Sequence, residues 1–289
     1  MLLVEKPVTD GDVEPANTSI QQQTLIEDTN MTRAPISFDF NNSRVLITGA
    51  TSGIGKAVAL AFAKAGAQTV TTGRSSQRGE QLCSEISEIG QRTRFLEGDL
   101  TNAEFCENLV ARAEKHLGGI DIIVNCAGII FHANAEQTTD EQWLSTMAIN
   151  VNAIFYVCRA ALKRMKKQGG VILNIASDAG LSASSGLCAY NTSKGAVIQM
   201  SRSMARDYGK HNIRVIPICP GDVDTPMLRD EFVQRNISSQ AGLADSAQGV
   251  PLNRVCTAEE IASLVLYAAS DEAGFMSGFP LVIDAANRA

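Results

Sequence analysis

From residue 43 onward the chain repeats one pattern: a short, unbroken apolar run, then a longer segment with apolar residues every three to four positions. A strand that is apolar at every position is buried on both faces, which requires a sheet with helices on both sides. RVLIT (44–48) is the first such run, and GIGKAVALAFAKAG (53–66) is the first helical pattern, stopped by a glycine. QTVTT (68–72), TRFLEGDL (93–100), IDIIVNCAG (120–128), GVILNIAS (170–177), NIRVIPICPG (212–221) and FPLVID (279–284) carry the further strands. Helical patterns fill 78–90, 102–117, 138–168, 189–210 and 258–269, the 138–168 segment as one long, bent helix. The alternation predicts an α/β fold: a doubly wound, Rossmann-type parallel sheet of about seven strands, with right-handed crossovers. Ligands of such sheets bind at the carboxyl ends of the strands.

Residues 1–40 do not share this pattern. They hold three of the eight prolines and no sustained periodicity, and read as a flexible tail ahead of a single catalytic domain at 41–289. Met31, just ahead of the ordered pattern, reads as an alternative start. The N-terminus carries acids and no compact apolar core, so no secretory signal is expected. No stretch approaches the ~20 apolar residues of a membrane span. The net charge of −6 argues against nucleic acid or anionic lipid as partner. Seven scattered cysteines without a C-x-x-C read as free thiols in a reducing cytoplasm. Three histidines in unrelated segments leave no basis for a metal site.

Two clusters carry chemistry. TGATSGIG (48–55) joins the first strand to the first helix. Gly49 permits a tight turn, Gly53 lets backbone approach a diphosphate, and Gly55 allows close helix–strand packing. Ser52 and Ile54 lie between them, at a helix N-terminus that offers free N–H groups and the positive end of a dipole. The second cluster is Tyr190 and Lys194, which share a helix face at i and i+4. A Y-x-x-x-K pair alone is weak evidence, but Ser177 ends the fifth strand thirteen residues earlier, and Asn150 lies in the preceding long helical pattern.

TGATSGIG, NCAG (125–128), Asn150, Ser177, YNTSK (190–194) and PGDVDTPM (220–227), in this order and spacing, make the chain resemble the short-chain dehydrogenase/reductase family over residues 42–287. The resemblance implies NAD(P)(H)-dependent interconversion of an alcohol and a carbonyl compound, with a small molecule as substrate. It makes Tyr190 the general acid/base, and has Lys194 lower the Tyr190 pKa and hold the ribose hydroxyls. Ser177 would bond the reacting oxygen, and Asn150 would hold a water linking Lys194 to solvent. A free phenol, with pKa ~10, is too weak a base without such help. Asp99 is expected at the adenine with Leu100 beside it, Asn125 as a brace of the sheet near the cofactor, and Val223 and Thr225 at the nicotinamide carboxamide. Family members pair into homotetramers through long helices and the last strand, so a homotetramer is expected here.

Cofactor choice rests on the end of the second strand. NAD-using members usually carry an Asp there; Gly73 stands in its place, and Arg74 follows as a partner for a 2′-phosphate. NADP(H) is therefore favoured over NAD(H). Asp222 and Asp224 read as solvated loop acids, and Asp284-Ala285-Ala286 departs from the family's usual Asp-Gly-Gly. The substrate walls are expected from Asp178, 184–188, the loop after Gly128 and a lid at 226–250. The sequence leaves open a sugar or polyol, a hydroxyketone, a 3-oxoacyl thioester as in acyl-carrier-protein reductases, or a steroid. A cofactor-sensing regulator is the alternative of a different class. That role expects a damaged Tyr/Lys/Ser set, and this set is whole.

Overall fold

In a computed structural model, the structure describes residues 36–288. The expected tail falls largely outside the described residues; within them, Phe40 is already buried, edge-on to Phe62. Seven parallel strands form one sheet: β1 (Arg44–Thr48), β2 (Gln68–Gly73), β3 (Thr93–Glu97), β4 (Ile122–Asn125), β5 (Gly170–Ile175), β6 (Ile213–Pro220) and β7 (Leu281–Ile283). Their order is β3-β2-β1-β4-β5-β6-β7. The order reverses between β1 and β4, which opens a crevice at their carboxyl ends. Thr48 pairs with Asn125 there, at the last rung between the two strands.

Helices cover both faces, as the unbroken apolar strands require. On one face α1 (Gly53–Lys64), α2 (Ser76–Glu88) and α9 (Ala258–Ala269) bury Val58, Phe62, Leu82, Ile86, Ile261 and Val265 against Val45, Ile47 and Val124. On the other, α3 (Ala103–Leu117), α5 (Ala153–Met165) and α6 (Cys188–Tyr208) bury Leu109, Val157, Leu162 and Val197 against Leu46, Val70 and Ile123. Adjacent positions on β1 thus serve opposite cores, the period of two that a strand imposes.

The segment expected as one bent helix is α4 (Asp140–Met147), a π-helical turn at Ala148–Asn152, and α5. The wider turn carries Asn150, which is fully buried. Such turns let a residue bulge from the regular ladder, and they recur at functional sites. The segment read as a lid is two helices, α7 (Pro226–Gln234) and α8 (Ser239–Gln248). Phe232 of α7 is buried and lies so close to Gly242 of α8 that a Cβ there would stand 2.5 Å from its ring. β7 is shorter than expected and is half-exposed at the sheet edge.

Candidate active site

A cavity of about 630 Å³ runs across the carboxyl ends of β2, β1, β4, β5 and β6. Its floor is the glycine turn. Gly49 has φ +65°, and a Cβ there would lie 2.6 Å from the Ala127 nitrogen, so no side chain fits. Gly53 opens α1 with φ +50° beside the Thr225 methyl. The Ser52 side chain does not cap α1, and the first turn has no acid. Free N–H groups therefore face the cavity at the positive end of the helix. A narrow floor with unclaimed donors fits a dinucleotide's diphosphate.

At one end of the cavity, Arg74 and Asp99 approach each other from the ends of β2 and β3. The Asp99 carboxylate accepts from the Thr101 backbone (2.9 Å) and hydroxyl (2.8 Å). These bonds, more than the Arg74 charge, hold it below the ordinary Asp value. Asp99 does not cap α3; Asn102 does, accepting from the Phe105 nitrogen at 3.0 Å. Leu100 lines the same end, and so does Arg78, an exposed residue in the first turn of α2 that sequence reasoning passed over. The signal was available: Arg78 is four residues after Arg74, at the N-terminus of the helix that Arg74 precedes. Gly73 is closely overhung, since a Cβ there would stand 2.6 Å from the Thr51 methyl carbon.

At the other end, Ser177, Tyr190 and Lys194 line the cavity together. Ser177 follows β5, and its Oγ donates toward Asp178 Oδ1 (3.1 Å) and the Pro220 carbonyl (3.4 Å) and accepts from the Ala179 nitrogen (3.1 Å). Ser177 also favours the ionised Tyr190 phenol. Lys194 is buried; its Nζ donates to the Ile175 carbonyl at 2.8 Å and sits 5.4 Å from the Tyr190 ring centroid.

Burial dominates the electrostatics of Tyr190 and Lys194. Burial raises the phenol's pKa; Ser177 opposes the rise, while Asp178, Glu231 and Asp222 add to it. Burial also brings Lys194 down to about 8, partly offset by Cys219 and Cys126. Both groups lose water, which disfavours the charged form of each.

Asn125 and Asn150 stand just outside the cavity lining. Asn125 Nδ2 donates to Asn174 Oδ1 at 2.8 Å, so Asn125 braces β4 against β5, next to Cys126, which does line the cavity. Asn150 also stands behind the wall. Its side chain accepts from the Ile129 nitrogen (2.8 Å) and donates to the Ile129 carbonyl (2.9 Å) and Ser193 Oγ (3.0 Å). That side chain holds the loop after β4. Val223 and Thr225 do line the cavity, as do Ser52, Ile54 and Gly55.

The substrate end is walled by Ile129, Ile130, Phe131, Leu187, Met227 and Leu228, with Asp222, Asp230, Glu231 and Gln234 among them. Of 226–250, only residues up to Gln234 on α7 take part. Gln234 Oε1 accepts from the His132 nitrogen at 2.8 Å, tying α7 to the loop after β4. Glu231 is buried, and burial and Asp222 raise its pKa, with Arg235 opposing. Asp222, read as a solvated acid, is exposed but lines the cavity; Asp224 is paired with Arg229 (2.8 Å). Asn287 and Arg288 complete the wall, and nothing in the sequence marked them. Among the described residues no His/Cys/Asp/Glu group could hold a metal, and no helix is long and apolar enough to cross a membrane.

Comparison with known proteins gives these features a context. The short chain dehydrogenase family model matches residues 43–248. An uncharacterized oxidoreductase of Thermotoga maritima is 38% identical, with 87% of this chain and 99% of that protein aligned. A 3beta-hydroxysteroid dehydrogenase of Mediterraneibacter gnavus is 33% identical over 83% of this chain and 92% of its own length. The solved short-chain type dehydrogenase/reductase from Mycobacterium marinum superimposes with a TM-score of 0.81 at 32% identity, covering 88% of this chain and 98% of that one.

Proposed function

The chain belongs to the short-chain dehydrogenase/reductase family, whose members are NAD(P)-dependent oxidoreductases of CH–OH and C=O groups, and on that premise we propose its chemistry in detail. It interconverts a neutral secondary alcohol and its ketone, with NADP(H) favoured over NAD(H) and Tyr190 as general acid/base. The observation that carries this reading is the meeting of Ser177, Tyr190 and Lys194 in the cavity whose floor is the glycine turn.

Gly49, Gly53 and the N-terminus of α1 would hold the diphosphate, Asp99 and Leu100 the adenine, and Val223 and Thr225 the carboxamide. Lys194 would hold the ribose hydroxyls with the donors that Ile175 leaves free. When bound, the nicotinamide supplies or accepts hydride and, oxidised, brings a positive charge next to Tyr190. Tyr190 takes the alcohol proton in oxidation and returns it in reduction, while Ser177 donates to the same oxygen. Asn150 fixes the wall at Ile129 and would hold the water that links Lys194 to solvent. Apolar walls with Asp222 and Glu231 facing Tyr190 favour a neutral substrate over a carboxylate.

Turnover of sugars, polyols, ketones, hydroxysteroids, 3-oxoacyl thioesters and hydroxy acids, each with both cofactors, tests the reading. Neutral ketones with NADPH are expected to lead. Exclusive turnover of hydroxy acids, or none with any substrate despite cofactor binding, rejects it.

A homotetramer in a reducing cytoplasm is part of the same proposal. Trp143, Leu144 and Phe155 are exposed on α4 and α5, and Phe275, Phe279 and Val282 around the edge strand β7. Apolar exposure on helices and beside an open strand edge suits two-fold pairing. All seven cysteines are unpaired. Light scattering at micromolar concentration should give four chains, and a stable monomer refutes the assembly.

A further inference from the structure

Beyond β7 the chain turns back on itself. Ala285 and Ala286 both take left-handed conformations, φ +53° and +63°, where an alanine is strained. Asp284 holds the turn, its Oδ1 accepting from the Ala286 nitrogen (3.0 Å) and its Oδ2 from the Arg288 nitrogen (3.1 Å). The reversal brings Asn287 and Arg288 over Asp178. Asn287 Nδ2 and Arg288 Nε each donate to Asp178 Oδ2 at 3.1 Å, and Arg288 Nη2 donates to Ser184 Oγ at 2.7 Å.

Asp178 is 5% exposed, and its other oxygen, Oδ1, accepts from Ser177. Ser177 has one hydroxyl proton. Asp178 and the Pro220 carbonyl compete for it in this state, and the proposed reaction needs it on the substrate oxygen. A carboxylate with no other partner would keep that proton, since a charge-assisted bond is about twice as strong as a neutral one. A carboxylate that already holds a guanidinium and an amide competes less.

We infer that Asn287 and Arg288 are positioning residues of the active site: by holding Asp178 Oδ2 they release the Ser177 proton to the substrate and neutralise a carboxylate beside Tyr190. The inference rests on the proposed roles of Ser177 and Tyr190. The charged groups facing Tyr190 are Asp178 from the turn after β5, Asp222 from the loop after β6, Glu231 from α7, and Lys194 on its own helix. Among the described residues, Asp178 alone of the three acids has a close hydrogen-bonded cation; the contact of Arg235 with Glu231 is 3.8 Å.

The test is Arg288→Ala, read by kcat against pH for alcohol oxidation and by tyrosinate absorbance of the cofactor-free protein, with Tyr190→Phe subtracted. Removing the cation exposes Tyr190 to the full Asp178 charge, which disfavours the phenolate. The acid limb of kcat and the Tyr190 titration should both move to higher pH, by roughly one unit. At its plateau kcat should still be down about tenfold, because Ser177 is held by Asp178. Adding Asp178→Asn should return both curves toward or below their wild-type positions. Asn287→Ala, which removes a neutral donor, should act in the same direction but less, and it carries the test if Arg288→Ala does not fold. Unchanged kcat and titration in Arg288→Ala, or a raised KM alone, overturns the inference. Wild-type turnover that survives in Tyr190→Phe would instead reject the acid/base reading beneath it.

Discussion

The two ends of the cavity are built differently. At the catalytic end the polar groups are rooted in the core: Lys194 is 4% exposed, Ser177 8% and Asp178 5%, and each has partners on other elements. At the adenosine end, Arg74 and Arg78 are exposed, and neither has an ion pair among the described residues. Burial makes the first end rigid and strongly coupled, because each charge sits among few waters and fixed neighbours. Exposure makes the second end tolerant and salt-sensitive. The chemistry should therefore fail sharply when touched, and the cofactor preference should fade by degrees.

Tyr190→Phe is the largest break. It should lower turnover by ~10²–10⁴ while leaving NADPH affinity within a small factor, as measured by fluorescence titration alongside steady-state rates. Retention of more than about a tenth of the activity would mean that another group carries the proton.

Mutations at the opposite end should show the reverse signature. Arg74→Ala and Arg78→Ala should each weaken NADPH by up to roughly tenfold, the low end for exposed charge-assisted bonds. NADH affinity and kcat should barely move, and the loss should shrink as salt rises. Equal NADH and NADPH affinity in wild type, unmoved by either change, would assign the enzyme to NAD. Gly73→Asp alone is a poor test, since its Cβ would stand 2.6 Å from the Thr51 methyl carbon; it should weaken both cofactors. Thr51→Ala combined with Gly73→Asp removes that clash and should turn the preference to NADH.

The same contrast decides what the sequence could disclose. Ser177, Tyr190 and Lys194 sit on a strand end and one helix face, so regular periodicity places them without a structure. The seven strands were readable for the same reason, though β7, three residues long and half-exposed, was overextended. Asn150 is legible as a site residue, but the direction of its side chain is not, because a π-helical turn has no sequence period. Arg78 needed only the helix start moved two residues earlier, from 78 to Ser76. Glu231 was inside the expected lid, yet its burial depends on how α7 packs. Asn287 and Arg288 were beyond reach: they arrive through two left-handed alanines, a conformation alanine does not advertise.

That turn supplies the smallest and most local test. A left-handed alanine is disfavoured by roughly 1–2 kcal/mol, which glycine avoids. Glycine in turn costs about 0.5–1 kcal/mol through the greater freedom of the unfolded chain. The balance favours Ala286→Gly by about 0.5–1 kcal/mol, or roughly 2 °C in Tm for a domain of this size. The reference is Ala244→Gly on the exposed face of α8, where the same substitution meets ordinary helical geometry and should cost up to about 1 kcal/mol. Opposite signs from one chemical change would locate the strain in the turn. Because the change frees the segment carrying Asn287 and Arg288, it should also loosen their hold on Asp178. Ala286→Gly should thus raise Tm and slightly lower kcat, the expected sign wherever a strained backbone serves a site. A variant that lowers Tm as Ala244→Gly does would show that the turn is held without strain, and that the left-handed alanines are no part of how Arg288 reaches the cavity.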